Sequence, residues 1–588
     1  MSYELPTALL VILIPTLYLT YRIWRSDKKE EGVTFNVPIP EPALPHWKGV
    51  RIAERSVYDG SDPSNIQCYC PATGQFLGKV RADSTNDMDA KIAAAHAAQR
   101  EFASTTFSQR RKILNTISKH LLEHQEEITR VMCRDTGKTM LDANLGEILV
   151  TLERINWTVK YGEEILSPSK RPGPSNILLA YKNAEIRYQP LGVLGAFVSW
   201  NYPLHNAMGP IVSALFTGNA IVVKCSENVA WSSQFVIQLA REALRVNGMN
   251  EDLVQLVSCW AHDADYLTSH PGLNHITFIG SKPVAHKVLN SAAKQITPVV
   301  VELGGKDPFI VLDDTKRLDQ IASIIMRGTF QGAGQNCIAI ERVIAMPKAY
   351  DSLVEILQKR VPQLRVGSAI DQQEEIDMGA CISDNRFEHL TALIHDAVEQ
   401  GARLLVGGTQ YIHPKYPQGH FFKPTLLVDV TSDMQIAKEE VFGPILLMFK
   451  AQTIDECVDI ANGTEYGLGA SVYGSDYKTI NSVANQLECG MVAINDFATY
   501  FLCQLPFGGA KASGYGKFQG AEGLRGLCLE KSVCYDKFPF IKTVIPSAAD
   551  YPIPDGRKAW DLVKGVNEVG YAWGGWNKLR GLRRLAGV

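Results

Sequence analysis

Several common signals are missing from this chain, and each absence removes a class of function. There is no excess of charge: 59 Lys and Arg stand against 62 Asp and Glu, for a formal net charge of −3. That balance offers no electrostatic footprint for nucleic acid. The twelve cysteines are scattered, with Cys68 and Cys70 as the only close pair. No CxxC and no Cys/His cluster has zinc spacing, so no metal is expected, and the usage suits free thiols in a reducing compartment. No GxGxxG marks any strand–helix junction, and no glycine-rich stretch has phosphate-loop spacing, which removes the ordinary Rossmann fingerprint. Disorder is excluded as well, since 46% of residues are hydrophobic and 21% charged. At 588 residues the chain exceeds one ordinary core, and two or three domains are expected.

One long uncharged run is present, from Leu5 to Tyr21. About seventeen helical residues at ~1.5 Å each span roughly 25 Å, near the low end for crossing a bilayer. Tyr18, Tyr21 and Trp24 sit where an interfacial aromatic belt would lie, and Arg22, Arg25, Lys28 and Lys29 follow. The positive-inside rule then puts the N-terminus in the lumen and the body in the cytosol. A cleaved signal peptide is the rival, but the basic residues lie on its wrong side and no small-x-small cleavage site follows. The expectation is a single-pass anchor over 5–24, in contact with membrane lipid. Residues 25–49 include the Pro-rich stretch Val33–Pro45 and read as an extended spacer between membrane and body.

Beyond residue 50 the pattern alternates between two periods. Apolar residues recur at helical spacing over Asp87–Phe107 and Ser108–Thr136, which predicts two or three surface helices. Ile177–Leu191 alternates and predicts a two-strand excursion around Lys182-Asn183. A βαβ rhythm follows, with short apolar strands at Val193–Ser199, Asn219–Lys224, Leu253–Val257 and His275–Ile279, each leading into a helix-compatible run. Strands alternating with helices predict an α/β fold with a doubly wound parallel sheet. Ligands of such sheets bind beyond the carboxyl ends of the strands, where Trp200, Asn201, Lys224, Glu227, Gly280 and Ser281 cluster. Lys224 and Glu227 read either as a solvated charge and a first-turn acid, or as two groups that both reach a ribose. An acid there accepts hydrogen bonds from ribose hydroxyls and repels a 2′-phosphate, which favours NAD over NADP. Gly280-Ser281, opening a helix, offers N–H donors to a pyrophosphate.

Two residues carry chemistry further on. Glu302 lies where an apolar run turns into glycine, VVVELGGKDP. Partial burial would raise its pKa toward that of a general base; the alternative is a loop carboxylate paired to Lys306. Cys337 follows the small polar run Gln331-Gly332-Ala333-Gly334-Gln335-Asn336. Taken alone it reads as a small buried apolar residue or as a nucleophile, with Gln335 and Asn336 adding donors nearby. Glu440 and Phe442, in Glu439-Glu440-Val441-Phe442-Gly443-Pro444-Ile445, combine acid, aromatic and a Gly-Pro turn.

Together, and in order, SWNYP (199–203), KCSE (224–227), FIGS (278–281), ELGGKDP (302–308), FQGAGQNC (330–337), EEVFGPI (439–445) and PFGGAKASG (506–514) resemble the aldehyde dehydrogenase superfamily from about residue 60 to 535. The resemblance implies Cys337 as nucleophile, Asn201 with the Cys337 N–H as oxyanion holder, and Glu302 as general base. It implies Lys224 and Glu227 at the adenine-side ribose, Gly280 and Ser281 at the pyrophosphate, Glu440 with Phe442 at the nicotinamide-ribose end, and Trp200 as a further cofactor-binding residue. It also implies a NAD-binding domain over 50–175 and 190–300 and a catalytic domain over 301–505. Strands at 176–190 and 524–537 would extend a partner's sheet in a homodimer or homotetramer. Two departures are Ala285, where the family's loop commonly has Gly, and Cys225, where relatives often have Pro. The anchor and the GQNCIAIERV context look most like a membrane-associated branch of fungi and plants, with the endoplasmic reticulum as the expected membrane. A CoA-acylating enzyme and a silent membrane scaffold are the other function classes; Glu302 disfavours the first, and Cys337, Glu302 and Asn201 together disfavour the second.

The tail, 538–588, is left over. Trp573, Trp576, Leu579, Leu582 and Leu585 recur at three-residue steps with Lys578, Arg580, Arg583 and Arg584 between them. It reads either as an interfacial helix on anionic lipid or as a helix packed on the body, and Gly570, Gly574, Gly575 and Gly581 weaken any helix there.

Overall fold

A computed structural model describes residues 30–370 and 375–587. The 5–24 run lies outside the described residues, and among the described residues no helix is long and apolar enough to cross a membrane. The described chain divides into two compact units. One runs up to Glu163 and resumes at Pro190–Leu527; the other combines Glu164–Gln189 with Cys528 onward.

Two sheets organise the larger unit. The first has six strands in the order Gly514–Tyr515, Val299–Glu302, His275–Ile279, Val193–Phe197, Ala220–Lys224 and Val254–Val257. All of its pairings are parallel except the short Gly514–Tyr515 edge. Val193–Phe197, Ala220–Lys224 and His275–Ile279 are buried at every position, as strands covered by helices on both faces must be, and so they appear in the sequence as short, mainly apolar runs. Register decides what meets at the sheet's carboxyl edge. Phe197 pairs with Lys224, and Ile279 with Glu302. The segments that follow these strands therefore emerge side by side.

The second sheet has seven strands, ordered Arg403–Val406, Thr425–Val428, Ile445–Lys450, Arg342–Ala345, Pro308–Val311, Gly469–Tyr473 and Met491–Ile494. Only Arg403–Val406 runs antiparallel to its neighbour. Its core includes Phe309, Ile344, Leu447 and Val472, all at most 1% exposed. Burying each such side chain contributes about 1.5–3 kcal/mol, which fixes this sheet as a rigid support.

The helices ahead of the sheets include Thr85–Phe102, Phe107–Glu123 and Gln125–Thr136. The first two start on reciprocal capping boxes, Ser84 with Asp87 and Thr106 with Gln109. The stretch read as a spacer is extended, as its prolines require, but it does not stand free. Glu30 pairs with Arg111, Phe35 stacks on His120 at 4.2 Å between ring centres, and Arg134 Nε donates to the Pro42 carbonyl at 2.7 Å. Within it, Val37 and Ala43 are buried.

In the smaller unit the expected two-strand excursion around Lys182-Asn183 does not form. Ile177–Leu179 is a turn of 3₁₀-helix, and Lys182–Pro190 is one strand whose antiparallel partner is the earlier Ser169–Arg171. Cys528–Asp536 lies on its other side and completes a three-stranded sheet. The tail forms two helices, Gly556–Tyr571 and Gly575–Ala586.

Candidate active site

A cavity of about 240 Å³ opens beside Cys337 and is lined mainly by apolar groups, among them Leu149, Phe497, Phe501 and Phe507. Asn201, Glu302 and Cys337 share its wall. These three residues come from the loop after Val193–Phe197, the last position of Val299–Glu302 and the loop after helix Leu318–Phe330. Sequence distances of about 35 and 100 residues or more are closed by the carboxyl edge of the first sheet and by the seam between the two sheets.

Cys337 does not sit on a helix N-terminus. Helix Leu318–Phe330 ends into a tight turn in which Gly332, Ala333 and Gly334 all have positive φ, at 59°, 56° and 73°. A left-handed Ala is strained by roughly 1–2 kcal/mol, and buried contacts hold it there. Asp142 accepts from the Gly332 N–H at 3.0 Å and from Arg327 at 2.7 Å. Gly334 is required for a second reason: a Cβ there would lie 2.1 Å from the Gly443 carbonyl oxygen. The turn thus presses the Cys337 loop against the loop that carries Glu440 and Phe442.

Gln335 is not a spare donor. Its side chain donates to the Gly332 carbonyl at 2.9 Å and accepts from the Ile382 N–H at 2.9 Å, so it braces the turn. Its own carbonyl accepts from Asn201 Nδ2 at 3.1 Å. The Asn201 amide is oriented from behind, where Ser199 Oγ and Asn206 Nδ2 both donate to its Oδ1, at 2.7 and 3.2 Å. Asn206 Nδ2 also reaches Ser199 Oγ at 2.9 Å, closing a small polar clamp. This clamp determines which end of the amide points to the Cys337 loop: the N–H₂ does, toward the Gln335 carbonyl. Among the described residues nothing accepts from the Cys337 N–H, leaving a second donor beside it.

Glu302 is 2% exposed. Burial raises its pKa to about 7, against a smaller lowering by the hydrogen bond from Cys337 and one from the Gly304 N–H. The alternative pairing with Lys306 does not occur; Lys306 Nζ is 2.6 Å from Glu341 instead. Burial first, then the neighbouring Glu302 charge, push the Cys337 thiol well above the ordinary cysteine range. The thiol is therefore protonated at neutral pH, and the group able to take its proton is adjacent.

The residues expected to hold a dinucleotide lie along the same sheet edge. Lys224 ends its strand, with Nζ 3.4 Å from Glu227 Oε2. Gly280 donates to the Glu302 carbonyl at 3.0 Å, and Ser281 is the N-cap of helix Lys282–Ala292 with no side-chain cap bond of its own. A Cβ at Gly280 would meet the Phe278 ring at 2.7 Å, so a larger residue there would require that ring to shift. Its buried neighbour Ala285 packs one turn in without removing a donor. Trp200 meets Phe442 edge to face at 5.6 Å between ring centres. Glu440 accepts from the Gly305 N–H at 3.1 Å; burial, then Glu341, hold its carboxyl well above the usual range. A helix N-terminus with free donors, a Lys–Glu pair at a strand end and a paired aromatic suit a pyrophosphate, a ribose and a nicotinamide end in turn.

Two supporting groups escaped the sequence reading. Glu341 accepts from Lys306, from the Val441 N–H at 2.9 Å and from the Phe442 N–H at 3.0 Å, and so pins the Glu440–Phe442 loop. An acid inside the apolar run CIAIERV was its signal, of the same kind that drew attention to Glu302. Glu147 pairs with Lys138 at 2.9 Å and accepts from the Leu204 and His205 N–H groups at the start of helix Pro203–Thr217. Tyr202, His205 and Asn206 line the cavity, whereas Met208 is fully buried away from it.

A family model described as the aldehyde dehydrogenase family matches residues 58–533. An aldehyde dehydrogenase-like protein of Saccharomyces cerevisiae is 55% identical over 589 residues, covering 98% of this chain and 92% of that one. A succinate-semialdehyde dehydrogenase [NADP(+)] of Mycobacterium avium is 32% identical, covering 79% of this chain and 95% of that one. Among solved structures, an aldehyde dehydrogenase of Mycobacterium tuberculosis complexed with NAD+ superimposes with a TM-score of 0.74 at 30% identity, covering 82% of this chain and 96% of that one.

Proposed function

From the premise that the chain belongs to the aldehyde dehydrogenase family, we propose that it oxidises an apolar aldehyde to the carboxylic acid, with NAD as acceptor and Cys337 as nucleophile. The observation that carries this reading is the convergence of Cys337, Glu302 and the clamped Asn201 amide on one apolar cavity.

The Cys337 proton passes to Glu302 as sulfur adds to the aldehyde carbon. Negative charge then develops on the carbonyl oxygen, where the Asn201 N–H₂ and the Cys337 N–H meet it. Lys224, Glu227, Gly280, Ser281, Trp200, Glu440 and Phe442 would hold NAD, which when bound would supply the hydride acceptor for this carbon. Glu302 yields its first proton to solvent, which a pKa of about 7 allows at neutral pH. It then takes a proton from the water that attacks the thioester on Cys337, and acid leaves as the thiol is regenerated. Glu227 beside Lys224 favours NAD, because a 2′-phosphate would meet a carboxylate.

The cavity's apolar lining favours a hydrophobic aldehyde over one with a second charge; its single cation, Arg327, is already held by Asp142. Such a substrate partitions into a bilayer, in keeping with a single-pass anchor at 5–24, a cytosolic body and an endoplasmic reticulum membrane. The strand Cys528–Asp536 would pair with a second copy in a homodimer or homotetramer.

The test is NADH formation over an aldehyde panel, with and without coenzyme A, for wild type and Cys337→Ala. Acid release without acyl-CoA, abolished in Cys337→Ala, is expected; unchanged activity in that variant would overturn the mechanism. Release of full-length protein from membranes by alkaline carbonate without detergent would overturn the anchor.

A further inference from the structure

The tail hairpin is built inside out for a helix pair in water. Gly556–Tyr571 starts on an Asp555 cap, whose carboxylate accepts from the Arg557 and Lys558 N–H groups at 2.8 and 3.2 Å. Gly574, at φ 82°, turns the chain into Gly575–Ala586. The two helices meet through glycine. A Cβ on Gly581 would lie 2.8 Å from the Val569 nitrogen and 2.9 Å from the Gly565 carbonyl, so both glycines are where backbones approach closely. The glycines that weaken each helix by propensity thus make the pair by packing. Their small face is turned inward, and the large side chains are left outside: Trp560 is 67% exposed, Tyr571 61%, Trp573 93% and Trp576 83%. Leu579 and Leu582 are about half exposed alongside them.

The charge on the same hairpin has one sign. Residues 556–587 contain seven Lys and Arg and only two acids, Asp561 and Glu568, in a chain whose overall charge is negative. Both acids are occupied: Asp561 pairs with Arg584 at 2.9 Å, and Glu568 with Arg584 at 3.1 Å and Arg580 at 3.7 Å. Lys564, Lys578 and Arg583 have no acid partner among the described residues. Exposed Trp and Tyr interleaved with unpaired cations match an acyl–headgroup boundary, where indole rings sit at the interface and ammonium and guanidinium groups reach lipid phosphates. Neither helix is long or apolar enough to cross a bilayer.

We infer that the 556–587 hairpin is a lipid-docking element that lies on an anionic membrane surface, with Trp560, Trp573 and Trp576 inserted at headgroup depth. It is an attachment separate from the N-terminal run and does not rest on the catalytic reading. Each Lys or Arg near an anionic surface strengthens attachment about fivefold, so attachment is selective for anionic lipid and weakened by salt.

The test uses the full-length chain on vesicles of phosphatidylcholine carrying brominated acyl chains, with or without phosphatidylserine. The signal is the tryptophan quenching lost in Trp573→Phe/Trp576→Phe, with far-ultraviolet circular dichroism to verify that the variant keeps its helices. Expected is a quenched component present in wild type, absent in the double variant, dependent on phosphatidylserine and diminished in Lys578→Gln/Arg583→Gln. Equal quenching in wild type and the double variant, or quenching indifferent to phosphatidylserine, would overturn the inference. So would Trp573 and Trp576 being shielded from iodide in lipid-free buffer in proportion to protein concentration, which would mean that a second copy covers them. A loss of helix in the double variant is resolved by Trp573→Tyr/Trp576→Tyr, which keeps interfacial rings and must keep vesicle binding.

Discussion

Glu302 offers the sharpest test of the site, because its burial dictates a pH dependence that an ordinary carboxylate would not give. Its pKa lies at about 7 rather than 4.5 because the carboxylate has been taken out of water and recovers only part of that loss from the Gly304 N–H and the Cys337 thiol. At about 1.4 kcal/mol per pH unit, the difference amounts to roughly 3 kcal/mol held against ionisation. Near pH 7 about half the molecules therefore carry the base, and each further unit of acid removes about nine-tenths of it. Steady-state acid release limited by thioester hydrolysis falls about tenfold per pH unit below 7, whereas with an ordinary glutamate it would be flat down to about pH 5. In Glu302→Gln the inflection disappears. The first turnover should slow as well, because the same carboxylate takes the Cys337 proton, and acid release loses a factor of about 10²–10⁴. Stopped-flow NADH absorbance separates burst from steady state. A profile flat across this range in wild type, or an unchanged inflection in Glu302→Gln, would refute the assignment of Glu302 as the base.

Three further outcomes follow from neighbouring geometry. Because the folded-state pKa of Glu302 is raised above its unfolded value, the folded protein binds the extra proton between about pH 4.5 and 7, and stability falls as pH rises across that window; Glu302→Gln therefore raises Tm at pH 8 by an amount equivalent to at most about 3 kcal/mol, and has no such effect near pH 4. Asn206→Leu removes one of the two donors that orient Asn201, so kcat drops about tenfold to a hundredfold with little change in KM for the aldehyde, and Asn206→Gln restores part of it; a rise in KM alone would contradict an orienting role. Glu341→Leu strands the buried Lys306 ammonium and frees the Val441 and Phe442 N–H groups, which costs about 3–5 kcal/mol and raises the KM for NAD; denaturant melting and NADH kinetics measure the two effects.

Much of the scaffold is legible in the residues because its strands are buried on both faces and therefore appear as short, mainly apolar runs. His275–Ile279 is legible to the residue for that reason, and the polar residues at the ends of those runs mark the sheet edge where the site lies. The excursion at 177–191 was misjudged for the converse reason: alternation tells that a strand exists but not which neighbour it pairs with, and Lys182–Pro190 takes an earlier partner at Ser169–Arg171. The glycines of the tail misled likewise, since propensity counts their cost within one helix and cannot see Gly565 and Gly581 at a crossing of two.

The family resemblance carried by seven short motifs in one order is what groups Cys337, Glu302 and Asn201 from the sequence. What the motifs could not decide is the state of those groups. A thiol pushed up and a carboxyl raised to about 7 come from burial and from the approach of each to the other. The direction in which the Asn201 amide points comes from Ser199 and Asn206 closing behind it. Those quantities depend on distances and on the exclusion of water, and neither exists until the strand ends of the first sheet and the seam of the second have been brought together.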